Sequence, residues 1–494
     1  MPAPNVKVVR AEFNTLTTST LDFDIVYCGT FHKGPVDKPI YIGSQQELID
    51  IFGKASKLNY NDYYQLYNIF EYTQRPILVT RTLDKQKSYN AYASMPYDSN
   101  RSYIVDDISD VILEFYNKIK VVARTPGEWG NDIKVAIFTY EQFKNNEKIH
   151  GGYYARNFAD NMNTDESIVA IFYQDELKET FICKDDFNQV NEKSQYIFIA
   201  GEVEDNYTND GNIFLIDGNK KKYTGDDYYP RRQAFYGGNI LDMHYGRQYD
   251  ASPSEVSDAY MNLLDSEYKP FFIIENIQAP YAATQLANNI EDSFIFLSSK
   301  QDVKYNGIVY SSKKKQEVSN GVYRYISCLG DLIGLKLYLI DHYGLSESHC
   351  KRLYNLRNIE STQELLTPLE IDELYYNRIN IVQKVNNSYV FNTEIMLDGS
   401  TLTNKLIEYF LIKDCSRVAY KFIFEKNDEY TRNTFKSSII NIVETYVASR
   451  CISEYRVICD EKNNDNPVTL VCDIMYKPQH LAEFITVRVS ANSY

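Results

Sequence analysis

The feature that most constrains this chain is a change of periodicity in its middle. Over residues 23–81 apolar runs alternate between strand and helix spacing. Over residues 119–230 they shrink to short strand-like runs separated by Asn, Asp and Gly clusters, and from Phe235 the strand–helix alternation returns. Such patterning predicts a body of helices packed on a sheet, interrupted by an inserted, mostly β domain. The chain has 494 residues, and single cores stop growing near roughly 250–300 residues, so several domains are expected.

In the first segment, 23–29 reads as an apolar strand and Gly34-Pro35 as a turn. Ser44, with Glu47 three residues on, has capping-box spacing and predicts a helix over 45–52 that stops at Gly53. A tyrosine-rich helix is expected over 60–72 and a buried strand over 77–81. In the middle segment, strands are expected at 134–140, 167–173, 180–183, 196–200 and 212–216. Beyond it, helices are expected at 254–264 and 282–291 and strands at 271–275 and 294–298. Residues 302–380 give no clear order, although 321–345 is apolar enough to pack in a core. Helices at 402–424 and 431–450 precede strands at 454–459, 468–476 and 484–489. The resulting division is an extended arm (1–22), an α/β domain in two parts (23–118 and 231–375), the β insertion (119–230), a C-terminal domain (376–483) and a terminal arm strand (484–494).

Function classes can be excluded in turn. The formal net charge is −15, against the basic face that a nucleic-acid binder needs. The runs Lys220–Lys222 and Lys313–Lys315 read as solvated loop charges. No apolar stretch reaches the ~18–20 residues of a membrane span, and residues 1–13 lack a signal-peptide layout. The 8 cysteines form no CxxC pair, which points to reduced, cytosolic folding. Phosphate-loop, dinucleotide, zinc-protease and nucleophile-elbow motifs are absent, and no cofactor is expected. His342 and His349, with Cys350, form the best metal candidate, but their spacing fits no common site and ordinary structural roles are expected. Asp242, His244 and Asp250 read as turn residues rather than an acid/base set. The 44 tyrosines suit surfaces that are wet before assembly and buried after it, or reflect a compositional bias shared with Asn and Lys.

Three patches carry specific motifs. One is the Gly34-Pro35 turn, the helix closing on Phe52-Gly53 and the strand ending at Arg81. The second is the turn Gly127-Glu128-Trp129-Gly130-Asn131, which holds the single Trp. The third is the C-terminal helix pair with Tyr455-Arg456-Val457 and Tyr476-Lys477-Pro478. Together these patches resemble the contractile phage (myovirus) tail sheath protein family, from which residues 346–373 depart by lacking its Gly-rich run.

The resemblance implies an α/β (α+β) multi-domain sheath fold with extended arms and no enzymatic activity. It implies a homo-oligomer of stacked six-fold rings around a tail tube protein, bounded by baseplate and tail-terminator proteins. The location implied is the virion tail, assembled in the host cytoplasm without membrane insertion or nucleic-acid contact. Arm strands Val6, Lys7, Val8, Val9, Arg10 and Phe484, Ile485, Thr486, Val487, Arg488, Val489 would add to neighbouring subunits; pairing within their own subunit is the other reading. The C-terminal domain would face the tube, with Lys413, Arg417, Lys421, Arg432 and Lys436 as candidate tube or subunit contacts or as solvent-facing helix residues. A sheath of a phage-derived bacterial injection device is the nearest alternative, and a tail-associated hydrolase or adhesion module a distant one.

Overall fold

The computed structural model describes residues 23–479 apart from 57–58, 96–103, 112–118, 147–153, 185, 202–214, 217–221, 224–239, 265–269, 277–294, 300–306, 465 and 467. Both expected arm strands, and the expected helix at 282–291, lie outside the described residues.

The body begins with β1 (Asp24–Gly29), β2 (Ile40–Ile42), α1 (Gln45–Phe52), α2 (Tyr60–Ile69) and β3 (Ile77–Arg81). The Ser44 side chain accepts from Glu47 N, while Glu47 reaches back to Gly43 N, 2.7 Å away. α2 ends earlier than its spacing predicts, with residues 70–72 in a turn. The insertion holds β4 (Tyr92–Met95), β5 (Ile119–Ala123), β6 (Ile133–Thr139), α3 (Tyr140–Asn145), β7 (Ser167–Tyr173), β8 (Glu176–Cys183), α4 (Asn188–Lys193), β9 (Ile197–Gly201), the short hairpin β10 (Leu215–Ile216) and β11 (Lys222–Tyr223), and β12 (Ile240–Asp242). The body resumes with α5 (Pro253–Leu264), β13 (Pro270–Ile274), β14 (Ile295–Ser298), β15 (Gly307–Tyr310), β16 (Lys313–Ser319), β17 (Val322–Ser327), α6 (Leu329–Tyr343), β18 (Ser361–Thr362), α7 (Pro368–Tyr376), β19 (Ile379–Asn380), β20 (Val382–Val385) and β21 (Ser388–Phe391). The C-terminal part is α8 (Leu402–Ala419), α9 (Glu429–Ala448), β22 (Ile452–Ile458) and β23 (Asp473–Pro478).

The central sheet has 7 strands in the order β19-β15-β14-β13-β1-β3-β2. All pairs are parallel except the antiparallel edge β2–β3. Parallel strands are covered on both faces, hence their nearly continuous apolar runs. Here Ile25, Tyr27, Val79 and Leu297 join the core under α1, α2 and α6, while the alternate residues Val26, Cys28, Leu78 and Phe296 pack on α5. α6 lies tightly on α2. A Cβ on Gly330 would stand 2.0 Å from Gln65 O, so only glycine lets the two backbones approach this closely.

The two sheets of the insertion, β12-β6-β7-β8 and β4-β5-β9, enclose one core around Trp129. β4 and β12 fall outside residues 119–230. Each is too short and too isolated in sequence to read as part of a sheet, and each is placed by its partners, β5 and β6. In the region the sequence left unordered, β16 pairs with β17 and β18. This corrects the reading of Lys313–Lys315 as solvated loop charges. Strand alternation turns Lys314 inward, where it is fully buried and its Nζ lies 2.8 Å from Asp331 Oδ1. Lys315 instead pairs with Glu360 at the surface.

The C-terminal helices share the body's core. Phe271 stacks on Tyr409 of α8 at 3.8 Å, and Phe23 packs on Phe410 at 5.7 Å between ring centroids. α9 buries Phe435, Ile439, Val443 and Tyr446, the face its spacing predicts. The hairpin β22–β23 packs beside α9, and among the described residues neither strand has a second partner.

Candidate functional site

Two of the three patches that resemble sheath proteins are distant in sequence and meet in space. β3 carries Arg81 to the end of the central sheet, where its side chain is fully buried. Nε donates to Phe31 O (2.9 Å) and Nη1 to Gly34 O (2.6 Å). Nη2 donates to Pro126 O (2.8 Å) and to Gln248 Oε1 (3.0 Å). Burial lowers the Arg81 pKa to about 9, so the guanidinium remains charged at neutral pH. A planar fork of five N–H donors can bind several converging carbonyls at once, which an ammonium cannot. The Gly34-Pro35 turn, β3 and the Gly127–Asn131 turn are thereby joined at one buried residue.

The motif turn is built around the same joint. Gly127 has φ 133°, a conformation that disfavours any side chain, and a Cβ there would meet His32 O and Gln248 Oε1 at 3.0 Å. Trp129 is buried in the insertion core and donates Nε1–H to Thr125 O (3.1 Å). Gly130 fits between the Cβ atoms of Ala91 and Ala123. Asn131 closes a reciprocal pair with Gly246: its Nδ2 donates to Gly246 O (3.0 Å), and its Oδ1 accepts from Gly246 N (2.8 Å). These residues fix the insertion to the body. Gln248 and Gly246, which complete the joint, carried no signal in the sequence beyond lying among the turn residues Asp242, His244 and Asp250.

The five candidate cations lie on or near the C-terminal helix pair in unlike settings. Lys413 Nζ sits 5.9 Å from the Tyr409 ring centre. Arg417 lies 3.4 Å from Asp414, which accepts from Tyr446 Oη at 2.8 Å. Arg432 donates to Asn427 O (3.1 Å) and Asn427 Oδ1 (3.0 Å), holding the loop between the helices. Lys421 is exposed in the turn after α8, and Lys436 is half-buried on α9. The same tip exposes apolar rings: Tyr420, Phe424 and Tyr430 are 65, 88 and 80 % exposed. Phe424 has φ 66°, an uncommon left-handed backbone for a bulky residue, costing about 1–2 kcal/mol.

No catalytic constellation assembles among the described residues. A groove of about 1000 Å³ lined by Tyr63, Tyr64, Tyr67, Gln316, Tyr323 and Glu360 offers no nucleophile with an adjacent base. Among the described residues His244 Nε2 meets no hydrogen-bond partner, while Asp250 lies beside Thr30. His342 and His349 do not converge. His342 stacks on Tyr338 at the exposed end of α6, whereas His349 is buried beside Cys350 and Glu394. No described helix is long and apolar enough to cross a membrane.

No family model matches the chain. Over 88 residues it is 36 % identical to a tail sheath protein of Vibrio phage KVP40, a match covering 17 % of this chain and 13 % of that protein's length. The fold likeness is far broader. The sheath tail protein of Desulfitobacterium hafniense superposes with a TM-score of 0.59 at 12 % identity, over 95 % of this chain and 99 % of that one. That of Listeria innocua gives 0.56 at 9 % identity, over 94 % and 95 %. The helical sheath of the anti-feeding prophage, in its contracted state, gives 0.52 at 9 % identity over the full length of both chains. The fold is therefore that of sheath tail proteins, as the sequence patches implied.

Proposed function

We propose that this chain is the structural subunit of a contractile tail sheath. It self-assembles into a helical cylinder of stacked six-fold rings around a tail tube and contracts to drive that tube through the host envelope for genome delivery. The observation that carries this reading is the fold likeness to sheath tail proteins across nearly the whole chain, insertion included. Its role is structural rather than enzymatic, and contraction draws on the energy difference between two lattice states rather than on nucleotide hydrolysis. Its partners are further copies of itself, the tube protein, and the baseplate and terminator proteins that bound the cylinder. It is assembled in the host cytoplasm and resides in the virion tail.

The hairpin β22–β23 supports arm exchange. With no second partner among the described residues, it offers edges onto which Val6–Arg10 and Phe484–Val489 of neighbouring copies can add. Main-chain pairing can persist while globular bodies slide and rotate. The exposed ring cluster Tyr420, Phe424 and Tyr430 marks the tip of the C-terminal domain as a contact surface, with Lys421 and Arg417 at its rim. The likeness to the anti-feeding prophage sheath favours one second reading, the sheath of a phage-derived bacterial injection device.

Negative-stain microscopy of the purified full chain, beside a variant beginning at Phe23, tests the proposal. Tubes or stacked rings from the full chain that are lost on truncation are expected. Isolated particles at high concentration, with and without a tube template, would refute it. Particles isolated from producing cells separate the two sheath readings: a capsid filled with DNA identifies a phage.

A further inference from the structure

The body meets the C-terminal domain at a buried polar cluster. Tyr310, at the end of β15, donates its hydroxyl to Thr393 O (2.5 Å), and its oxygen lies 2.8 Å from His349 Nε2. A phenol has one proton, and here the carbonyl takes it. Nε2 must therefore carry the ring hydrogen and donate it to the Tyr310 oxygen, which leaves Nδ1 of a neutral imidazole as a bare lone pair. Glu394 Oε2 stands 3.1 Å from that Nδ1. Even so, Nδ1 makes no aligned hydrogen bond, and, the Thr403 hydroxyl aside, neither carboxylate oxygen has an aligned partner among the described residues. His349 is 0 % and Glu394 5 % exposed, so solvent does not relieve the mismatch.

Two facing acceptors in a dry site repel each other unless a positive charge lies between them. A ring proton on Nδ1 fits poorly, because it would not align with either carboxylate oxygen. Glu394 is already linked through Thr403 to Lys336. Lys336 does not fill the gap itself: its Nζ is committed to Glu347 O and Thr403 Oγ1, each at 2.7 Å. Cys350 supplies a third donor, and the ligand atoms of His349, Cys350 and Glu394 all lie within 4.8 Å of one another. Atoms bound at about 2.0–2.3 Å to one tetrahedral ion stand about 3.3–3.7 Å apart, so the 3.1 Å Nδ1–Oε2 approach needs only a slight widening to share an ion.

We propose that His349 Nδ1, Cys350 Sγ and the Glu394 carboxylate bind one divalent transition-metal ion of the zinc class. One nitrogen, one sulfur and one oxygen donor suit zinc and its neighbours and not magnesium or calcium, which take oxygen ligands. Binding releases the Cys350 thiol proton to solvent and involves no change of oxidation state. The ion ties the loop after α6 to the segment entering α8, and so fastens the body to the C-terminal domain. The site is independent of the sheath reading.

The test uses the full chain, stripped with a chelator and titrated with Co²⁺ as the probe. The expected result is one equivalent bound, with a thiolate-to-cobalt charge-transfer band that Zn²⁺ abolishes by displacement. Cys350→Ser should lose the band while keeping the wild-type circular dichroism, and Glu394→Gln should weaken binding roughly 10–100-fold or more. If Cys350→Ser misfolds, maleimide labelling of the wild type replaces it: Zn²⁺ should protect Cys350, identified by peptide mapping. Absence of the band, a band unchanged in folded Cys350→Ser, or labelling of Cys350 unaffected by Zn²⁺ would overturn the assignment.

Discussion

The Arg81 joint and the tip between α8 and α9 are built on opposite terms. At the joint the donors of a fully buried guanidinium meet backbone carbonyls and Gln248, and a glycine turn is packed so closely that a methyl group would not fit. At the tip three aromatic rings stand in solvent, and one residue holds an unfavourable backbone conformation. A polar group leaving water requires compensation within the chain, whereas an apolar ring left in water gains from a partner outside it. The joint is thus an internal weld, and the tip, in the proposed sheath, a surface that assembly would bury.

The comparison predicts very different responses to substitution. Arg81→Met should cost most, about 3–5 kcal/mol, because it strands several buried carbonyls at once. Urea unfolding monitored by Trp129 fluorescence measures it, and a loss under about 1 kcal/mol would break the idea of a weld. Gly330→Ala should follow, at about 1–3 kcal/mol, by forcing α6 away from α2; the same unfolding series reads it.

The closed side should also show a pH dependence through Asp62. This buried carboxyl accepts from Tyr27 Oη (2.6 Å) and Thr30 N (2.7 Å) beneath the end of β1. Burial raises its pKa from 3.8 to about 7, against those hydrogen bonds. The folded chain then holds a proton that the unfolded chain releases above about 4. The contribution is full below that pH, is lost as pH rises towards about 7, and stays flat above it. Asp62→Asn should reduce the difference in urea midpoint between pH 5 and pH 8, and an unchanged difference would locate the proton elsewhere.

The smallest effect on stability belongs to the tip. Replacing Tyr420, Phe424 and Tyr430 together by Ser should shift stability by no more than about 0.5 kcal/mol, yet abolish tubes in negative stain. A large loss of stability would make the tip part of the fold and erase the contrast with the joint.

Residues with strong local signals were legible in the sequence. The capped helix α1, the apolar strand β3, the face of α9 and the two-part body interrupted by a β insertion follow from periodicity, caps and turns, which are properties of near neighbours. The turn around Trp129 stood out by its composition, and so did the resemblance it carries. Tertiary structure alone decided what depends on residues brought together from afar. A run of three lysines does not reveal that Asp331 lies opposite the middle one, nor do four residues at 92–95 reveal that β5 will pair with them. Arg81 read only as a strand's last residue until Gly34, Pro126 and Gln248 closed around it, and Glu394 had no visible link to His349. Burial and pairing are set by contacts across the fold, and a charge or short strand gains its meaning from the partner the fold delivers.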